Sequence, residues 1–156
     1  MKRALLILLL PFALAACGAA SGYGTGSTAP SQSAAATVSV RSTSLGQILV
    51  AGNGKTLYLF EADQGTQSTC SGACAQAWPP FTTSGAPTVS ATASKALIGT
   101  TARSDGTTQV TYAGHPLYFF INDTKPGDVT GEGSTAFGAG WDVLAPTGDK
   151  IEKPGN

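Results

Sequence analysis

A short aromatic motif occurs twice in the chain, and its two copies lie 60 residues apart. Residues 54–60 align with residues 114–120, and Asp63 aligns with Asp123, so both copies read Gly-x-x-Leu-Tyr-x-Phe-x-x-Asp. A solenoid needs three or more stacked units, and this chain carries two copies. The repeat therefore predicts two pseudo-symmetric halves that pack face to face and share one core.

The residues of the repeated motif are of the types that build a small β core. Tyr and Phe two positions apart lie on the same face of a strand, where their rings bury a large apolar area. An aspartate directly after a strand accepts backbone N–H bonds and fixes a turn. Core packing and turn formation are the leading interpretation, and a ligand-binding role is the alternative. The motif positions are Tyr58, Phe60, Asp63 and Trp78 in the first copy and Tyr118, Phe120, Asp123 and Trp141 in the second.

Alternating apolar and polar residues from position 38 onward predict a mostly β fold. Residues 48–50 and 56–60 flank Asn53 and Gly54, a pair that forms tight hairpin turns because it supplies positive φ at low cost. A single hairpin is marginally stable in water, so the two hairpin repeats are expected to pack as one small domain. Further strands are predicted at 96–101, 109–112, 117–120 and 141–144, and one short helical segment is predicted at 71–78.

These motifs resemble those of the bacterial secreted-repeat lipoproteins, a family with a Tyr-x-(Phe/Trp/Tyr)-x-x-Asp motif. Residues 58–63 and 118–123 fit that motif, and residues 68–74 with 78–80 look like the first repeat of the family. The resemblance extends from about residue 45 to residue 146. The family is largely defined as having unknown function, and some relatives carry a loose association with alkane catabolism.

The N-terminus has the layout of an export signal. Two basic residues, Lys2 and Arg3, precede an apolar run that is shorter than the ~20 residues a membrane-spanning helix needs. The run ends in Leu-Ala-Ala followed by Cys17, which resembles the bacterial lipobox. This resemblance implies cleavage after Ala16 and thioether lipidation of Cys17, so residues 1–16 are expected to be a signal peptide.

A tether is predicted between the lipidated cysteine and the folded domain. Residues 18–37 are nearly all Gly, Ala, Ser, Thr and Pro and carry no charge, so they bury too little apolar surface to fold. The lipidated Cys and tether are therefore assigned to residues 17–37 and the two-repeat domain to residues 38–152. Within that domain, repeat one covers about residues 45–83 and repeat two about residues 96–146.

Cys70 and Cys74 are predicted to form a structural disulfide. An exported chain meets an oxidising compartment, where paired cysteines become bonded. A redox-active pair is an alternative, but it is usually spaced Cys-x-x-Cys in a thioredoxin-like fold. A metal site using both cysteines and His115 is a further alternative, although its ligands would come from distant turns.

Two other polar features are weaker candidates for chemistry. His115 lies in a predicted turn and no Gly-x-Ser-x-Gly motif accompanies it, so acyl transfer is not expected. Asp123, Asp128 and Glu132 lie in a Gly-rich loop and offer oxygen ligands of the kind Ca²⁺ prefers, but their spacing does not match an EF-hand. An ordinary turn-rich loop is the preferred interpretation, and no cofactor or metal is assigned.

The charge balance excludes some partners and leaves others open. The chain has 9 basic and 9 acidic residues, and loss of the signal peptide leaves 7 basic and 9 acidic. Nucleic-acid binding is not expected, because it would require a basic excess. The membrane is the expected partner, through the lipid on Cys17, together with an envelope protein or small-molecule ligand that the sequence does not identify.

The sequence thus predicts a lipid-anchored, extracytoplasmic cell-envelope protein, with the inner or outer membrane left open. It is expected to be a non-enzymatic binding or interaction module, because no catalytic constellation is recognisable. One alternative is a redox or accessory component of an envelope metabolic process, which Cys70 and Cys74 and the aromatic strands motivate. Another is a purely structural lipoprotein with no small ligand.

Overall fold

A computed structural model describes residues 35–90 and 92–152 of the chain. The predicted signal peptide, Cys17 and the tether as far as residue 34 lie outside the described residues. One short helix, α1 (Ala73–Ala77), and a 3₁₀ turn (Ala136–Gly138) accompany the strands. The strands are β1 (Thr37–Thr43), β2 (Gly46–Ala51), β3 (Tyr58–Phe60), β4 (Thr88–Val89), β5 (Ile98–Ala102), β6 (Thr108–Tyr112), β7 (His115–Pro116), β8 (Trp141–Leu144) and β9 (Lys150–Ile151).

The described strands form three small sheets. Their orders are β2-β1-β4, β3-β8-β9 and β5-β6-β7. Neighbouring strands are antiparallel except β1 and β4, which run parallel with Val38 opposite Val89. The predicted fold class, a mostly β domain of two hairpin repeats with one short helical segment, is confirmed.

The two halves correspond in their main hairpins. The hairpin of β1 and β2 matches the hairpin of β5 and β6, each displaced by about 60 residues. In the first half Tyr58 lies opposite Val143 of β8, and in the second half Tyr118 lies opposite Pro80. The chain therefore has an approximate two-fold symmetry that relates Tyr58 to Tyr118.

The predicted strand at 117–120 is present only as isolated bridges, whereas its counterpart β3 is a full strand. Tyr118 forms bridges to Tyr58 and to Pro80. The residues that correspond to β8 in the first half include Pro79 and Pro80, which have no backbone N–H to donate. In β8, Asp142 and its neighbours form a complete ladder with β3. At the equivalent place beside Tyr118, Pro79 and Pro80 interrupt the ladder, so only isolated bridges remain.

Buried side chains form two core clusters. The first is mainly aliphatic and fills the space between the two hairpins, with Leu57, Leu117 and Leu144 completely buried. The second, called the aromatic core here, contains the rings of the repeated motif together with Cys70 and Cys74. Its six rings belong to Tyr58, Phe60, Trp78, Tyr118, Phe120 and Trp141.

Candidate functional site

The two repeats join at the motif tyrosines. Tyr58 N donates to Tyr118 O and Tyr118 N donates to Tyr58 O, both at 2.9 Å. Both side chains are fully buried. This reciprocal backbone pair lies on the approximate two-fold axis, so the repeated motif forms the junction between the halves.

Each motif tyrosine bonds the motif aspartate of the other repeat. The Tyr58 hydroxyl donates to Asp123 Oδ2 at 2.6 Å, and the Tyr118 hydroxyl donates to Asp63 Oδ2 at 2.7 Å. Sequence reasoning missed this crossing, because it placed each aspartate only in its own turn. The two bonds are called the crossed Tyr–Asp pairs below.

The second oxygen of each aspartate holds a loop of its own repeat. Asp63 Oδ1 accepts from Thr69 N and Thr69 Oγ1 at 2.7 and 3.0 Å. Asp123 Oδ1 accepts from Thr130 N and Thr130 Oγ1 at 3.0 and 2.6 Å. Each carboxylate thus fixes a local turn with one oxygen and the partner half with the other.

The environment of both tyrosines keeps them protonated. Burial raises the pKa of Tyr58 well above its usual value, and the hydrogen bond to the Asp123 carboxylate raises it further. Burial also raises the pKa of Tyr118, with Asp63 acting in the same direction and Ser68, whose Oγ lies 2.7 Å from the hydroxyl, acting against it. Neutral hydroxyl groups are the form that donates to the carboxylates.

The aromatic core contains a continuous stack of four rings. Trp78 and Trp141 are nearly parallel, with an interplanar angle of 5° and centroids 3.9 Å apart. Phe120 stacks on Trp78 at 4.3 Å, and Phe60 stacks on Trp141 at 4.1 Å. Each Trp therefore contacts a Phe of the other repeat, as in the crossed Tyr–Asp pairs.

Gly131 is required where the stack meets the acidic loop. A Cβ at this position would lie 2.6 Å from the Trp78 ring, which is too close for any side chain. Gly131 N also donates to the Tyr58 hydroxyl oxygen at 3.3 Å. This close approach was not predictable, because one glycine among many in a Gly-rich loop gives no signal in the sequence.

The predicted disulfide between Cys70 and Cys74 is confirmed. The Cα atoms are 5.3 Å apart, and the two residues are 1 % and 7 % exposed. The bond spans the start of α1, and Trp78 N at the end of that helix donates to Cys74 O at 2.7 Å. The disulfide therefore positions the helix that delivers Trp78 to the stack.

Arg103 is a buried polar residue that the sequence does not mark as a candidate site. Its side chain is 4 % exposed, and its guanidinium donates to Ser68 Oγ, Gln109 Oε1 and Cys70 O at 2.7, 2.7 and 2.8 Å. Its Nε also pairs with Asp105, whose pKa falls to about 2, mainly through hydrogen bonds from Thr107. A lone arginine just before an Asp-Gly turn normally indicates a solvated side chain, so the sequence carries no indication that Arg103 is buried.

The other candidate ligands serve the backbone. Asp128 Oδ2 accepts from the amides of Thr124 and Lys125, and Glu132 Oε2 accepts from Val143 N. His115 is half-buried in β7, opposite Tyr112. Within residues 35–90 and 92–152, no three His, Cys, Asp or Glu residues lie together as a metal-binding group.

Fold and site together define a two-repeat β domain whose halves are joined by a crossed aromatic and acidic motif. The family model described as "Secreted repeat of unknown function" matches residues 39–82 and 99–145. The chain belongs to this family, as its motifs predicted, and membership indicates an extracytoplasmic location. Neither the curated proteins nor the solved structures gave a match. In the part of the chain that the structure describes, no helix is long and apolar enough to cross a membrane.

Proposed function

We propose that this protein is a lipid-anchored interaction module of the bacterial cell envelope, with a non-enzymatic role. The crossed Tyr–Asp pairs support this proposal most directly. The motif that resembles the family's signature uses its hydroxyl and carboxylate groups to hold two halves together. Its signature residues therefore build a compact scaffold, and recognition falls to the surface of that scaffold.

Anchoring is proposed from the sequence before the described residues. A thioether-linked diacylglycerol on Cys17 would place two acyl chains in the membrane, which is enough for stable attachment. The apolar run and the small residues that precede Cys17 support this modification. The described domain would then be held beside the membrane by the tether.

Metabolic labelling with an alkyne palmitate analogue tests the anchor. The full chain is expected to incorporate the label and to sediment with membranes, and the Cys17→Ser variant is expected to do neither. A Cys70→Ala/Cys74→Ala variant is the matched control, because it loses the other two cysteines and keeps the lipobox. Equal labelling of all three proteins, or of none, would contradict the proposal.

In-cell crosslinking followed by affinity purification tests the interaction role. A discrete heavier species that contains one envelope protein in reproducible stoichiometry is the expected result. Recovery of the uncrosslinked monomer alone at every crosslinker concentration would contradict the role.

The alternative redox role receives no specific support from the geometry. Thiol–disulfide exchange requires access of a thiolate to one of the sulfur atoms. Cys70 and Cys74 are themselves buried members of the aromatic core, so little of either sulfur is accessible. The bond is therefore better suited to positioning Trp78 than to exchanging electrons.

A further inference from the structure

Strand β5 forms an edge of its sheet. Among residues 35–90 and 92–152, β6 is the strand that pairs with it, and its other side has no strand partner. Its sequence, Ile-Gly-Thr-Thr-Ala, has no charge that would discourage pairing. An edge of this kind presents unpaired N–H and C=O groups that can bind another extended chain.

The register identifies which backbone groups of β5 point outward. Ala113 N donates to Leu97 O, so the odd-numbered residues direct their backbone groups toward β6. Backbone direction alternates along an antiparallel pair. The outward N–H and C=O groups therefore belong to Ile98, Thr100 and Ala102.

The first repeat shows how the corresponding edge is covered. Its equivalent of β5 is β1, and β4 lies parallel to β1 on the outer side. Thr88 N donates to Ala36 O at 2.8 Å, and Ser90 N donates to Val38 O at 2.9 Å. Val38 corresponds to Ile98, so the outward carbonyl of Ile98 occupies the position of an acceptor that is used in the other half.

The second repeat leaves this position open because its chain takes a different path. After β8, the chain turns between Ala145 and Asp149, where Ala145 N donates to Asp149 O at 2.8 Å. It then forms β9, which pairs back with β8. The segment that could have covered β5 is thus used on another sheet.

A cleft of about 480 Å³ lies along the open edge. Ile98, Gly99 and Thr100 form one side, the small residues of 83–87 form another, and Lys95 is the charged residue in the lining. In the first half Ser39 is bonded to Ser90 at 2.6 Å, whereas the second half has Gly99, which offers no side-chain hydrogen-bond partner at this position. The exposed Lys95 favours an acidic group in the occupant.

We propose that the open edge of β5 binds an extended peptide segment of a partner protein, which adds in parallel and places an acidic side chain near Lys95. This inference rests on the proposed interaction role and names the surface that performs it. A second copy of the chain would pair β5 with β5 across a two-fold axis, which gives an antiparallel arrangement. The parallel geometry of β4 on β1 therefore favours a partner peptide.

Hydrogen exchange by NMR provides the direct test. The probe is a synthetic peptide of residues 84–92, acetylated and amidated, in which Ala86 is replaced by Asp; it is added to the mature full-length protein. The amides of Ile98 and Thr100 are expected to become protected, because they would donate to the added strand. The amides of Gly99 and Thr101 already face β6 and are expected to keep their protection.

Matched probes separate strand addition from surface adsorption. A peptide methylated on the two amide nitrogens equivalent to Thr88 and Ser90 loses both donors and is expected to bind at least about tenfold more weakly. Lys95→Ala is expected to weaken binding of the acidic peptide by about two- to fivefold, as for loss of an exposed ion pair. Lys125→Ala, which removes another exposed lysine, is expected to leave binding unchanged.

A proline variant tests the same edge from the protein side. The Thr100 amide points away from β6, so Thr100→Pro is expected to fold with a nearly unchanged urea midpoint and to lose peptide binding. Unchanged exchange at Ile98 and Thr100 with peptide at millimolar concentration would overturn the proposal. Protection of these amides that rises with protein concentration and does not respond to the peptide would also overturn the proposal. That result would indicate self-association through β5. If crosslinking still captures an envelope protein in either case, the proposed function stands and the assignment to β5 fails.

Discussion

The two crossed Tyr–Asp pairs differ in how far water reaches their carboxylates. Asp123 is 2 % exposed, whereas Asp63 is half-buried. Removing the tyrosine hydroxyl leaves an acceptor without its donor, and that loss is larger where solvent cannot replace the bond. The chemically identical substitutions at Tyr58 and Tyr118 therefore have unequal expected costs.

Tyr58→Phe is expected to lower the free energy of unfolding by about 1.5–3 kcal/mol, and Tyr118→Phe by about 1 kcal/mol. Urea denaturation of both variants at neutral pH measures the difference. A double-mutant cycle with Asp123→Asn isolates the coupling within the buried pair. Equal costs, or a larger cost at Tyr118, would show that the exposure of the aspartate does not control these bonds.

Alkaline pH is expected to destabilise the protein through the same two tyrosines. The folded-state pKa of each is raised, so its contribution is complete below the unfolded pKa of about 10 and is lost as pH rises above that value. Each group then lowers the free energy of unfolding by about 1.4 kcal/mol per pH unit. Urea titrations between pH 9 and 11.5 measure the slope.

The Tyr58→Phe/Tyr118→Phe double variant is the control for the alkaline slope. It keeps every other titratable group. Its pH dependence is expected to be shallower by about 1.4 kcal/mol per pH unit at pH 10, and the difference should approach about 2.7 kcal/mol per pH unit above pH 11. An unchanged slope would mean that other groups cause the alkaline loss.

The sequence predicts the hydrogen bonds that a residue makes to its own loop, but not those that it makes to the other repeat. The turn-forming role of Asp63 and Asp123 follows from their position after a strand, and Oδ1 of each does accept from its own loop. The bonds from Oδ2 join residues 55 and 65 positions apart. No local pattern encodes such a distance, and only the packing of the two halves brings these atoms together.

Among the structural elements, the β6–β7 turn carries local backbone strain. Ala113 has a φ of 51° and Gly114 a φ of 87°, so both central residues of the turn are left-handed. This conformation costs a residue with a Cβ roughly 1–2 kcal/mol. The turn at the same place in the first half contains Asn53 and Gly54, and of these two residues Gly54 has a positive φ, 82°, whereas Asn53 does not.

Ala113→Gly is expected to raise the free energy of unfolding by about 0.5–1 kcal/mol, after the entropy that glycine gains in the unfolded chain is subtracted. Urea denaturation measures the change. Ala62→Gly is a comparison outside this turn that should not stabilise the protein, since Ala62 has no positive φ. A loss of stability on Ala113→Gly would contradict the interpretation of strain at this turn.

The disulfide stabilises α1 as an element. Its loop is short, so the chain-entropy model gives about 2 kcal/mol. The Cys70→Ala/Cys74→Ala variant is expected to lose at least this amount, and its tryptophan fluorescence should report a less ordered Trp78. A variant with wild-type stability and an unchanged spectrum would show that the bond does not position the helix.

Elements with a strong pattern were predicted well and short ones were not. Alternation, turn residues or a cysteine pair mark β2, β5, β6, β8 and the helical segment, and local physics can interpret these patterns. The strand pairing was predicted less well, because β3 pairs with β8 instead of β2, and residues 117–120 form isolated bridges instead of a hairpin strand. β4 and β9 are two residues long and form because a neighbouring edge accepts them. Such strands depend on tertiary placement, so their own residues carry no signal.

For the whole molecule, neither half is expected to fold alone. Fragments 35–90 and 92–152 each contain one hairpin repeat, one Trp and one half of each crossed pair. Hairpins without a packed face are marginal in water. Each fragment is therefore expected to be largely unfolded, and an equimolar mixture is expected to regain β structure.

Circular dichroism of the separate and mixed fragments measures this complementation. A Trp-stacking signal near 230 nm should appear only in the mixture, because Trp78 and Trp141 lie on different fragments. A mixture in which the second fragment carries Trp141→Phe separates association from ring stacking. It should lose the band near 230 nm and keep part of the regained β structure. Two independently folded fragments would contradict the shared-core architecture.

The crossed pairs also imply what a chain with one copy of the motif would do. Its tyrosine would have no aspartate to bond except that of another molecule, so it would be driven to form a symmetric homodimer. In the present chain that interface is covalently joined and has become interior. Because the joined halves no longer have to be identical, one could acquire a cystine and a covered strand edge while the other kept an edge free.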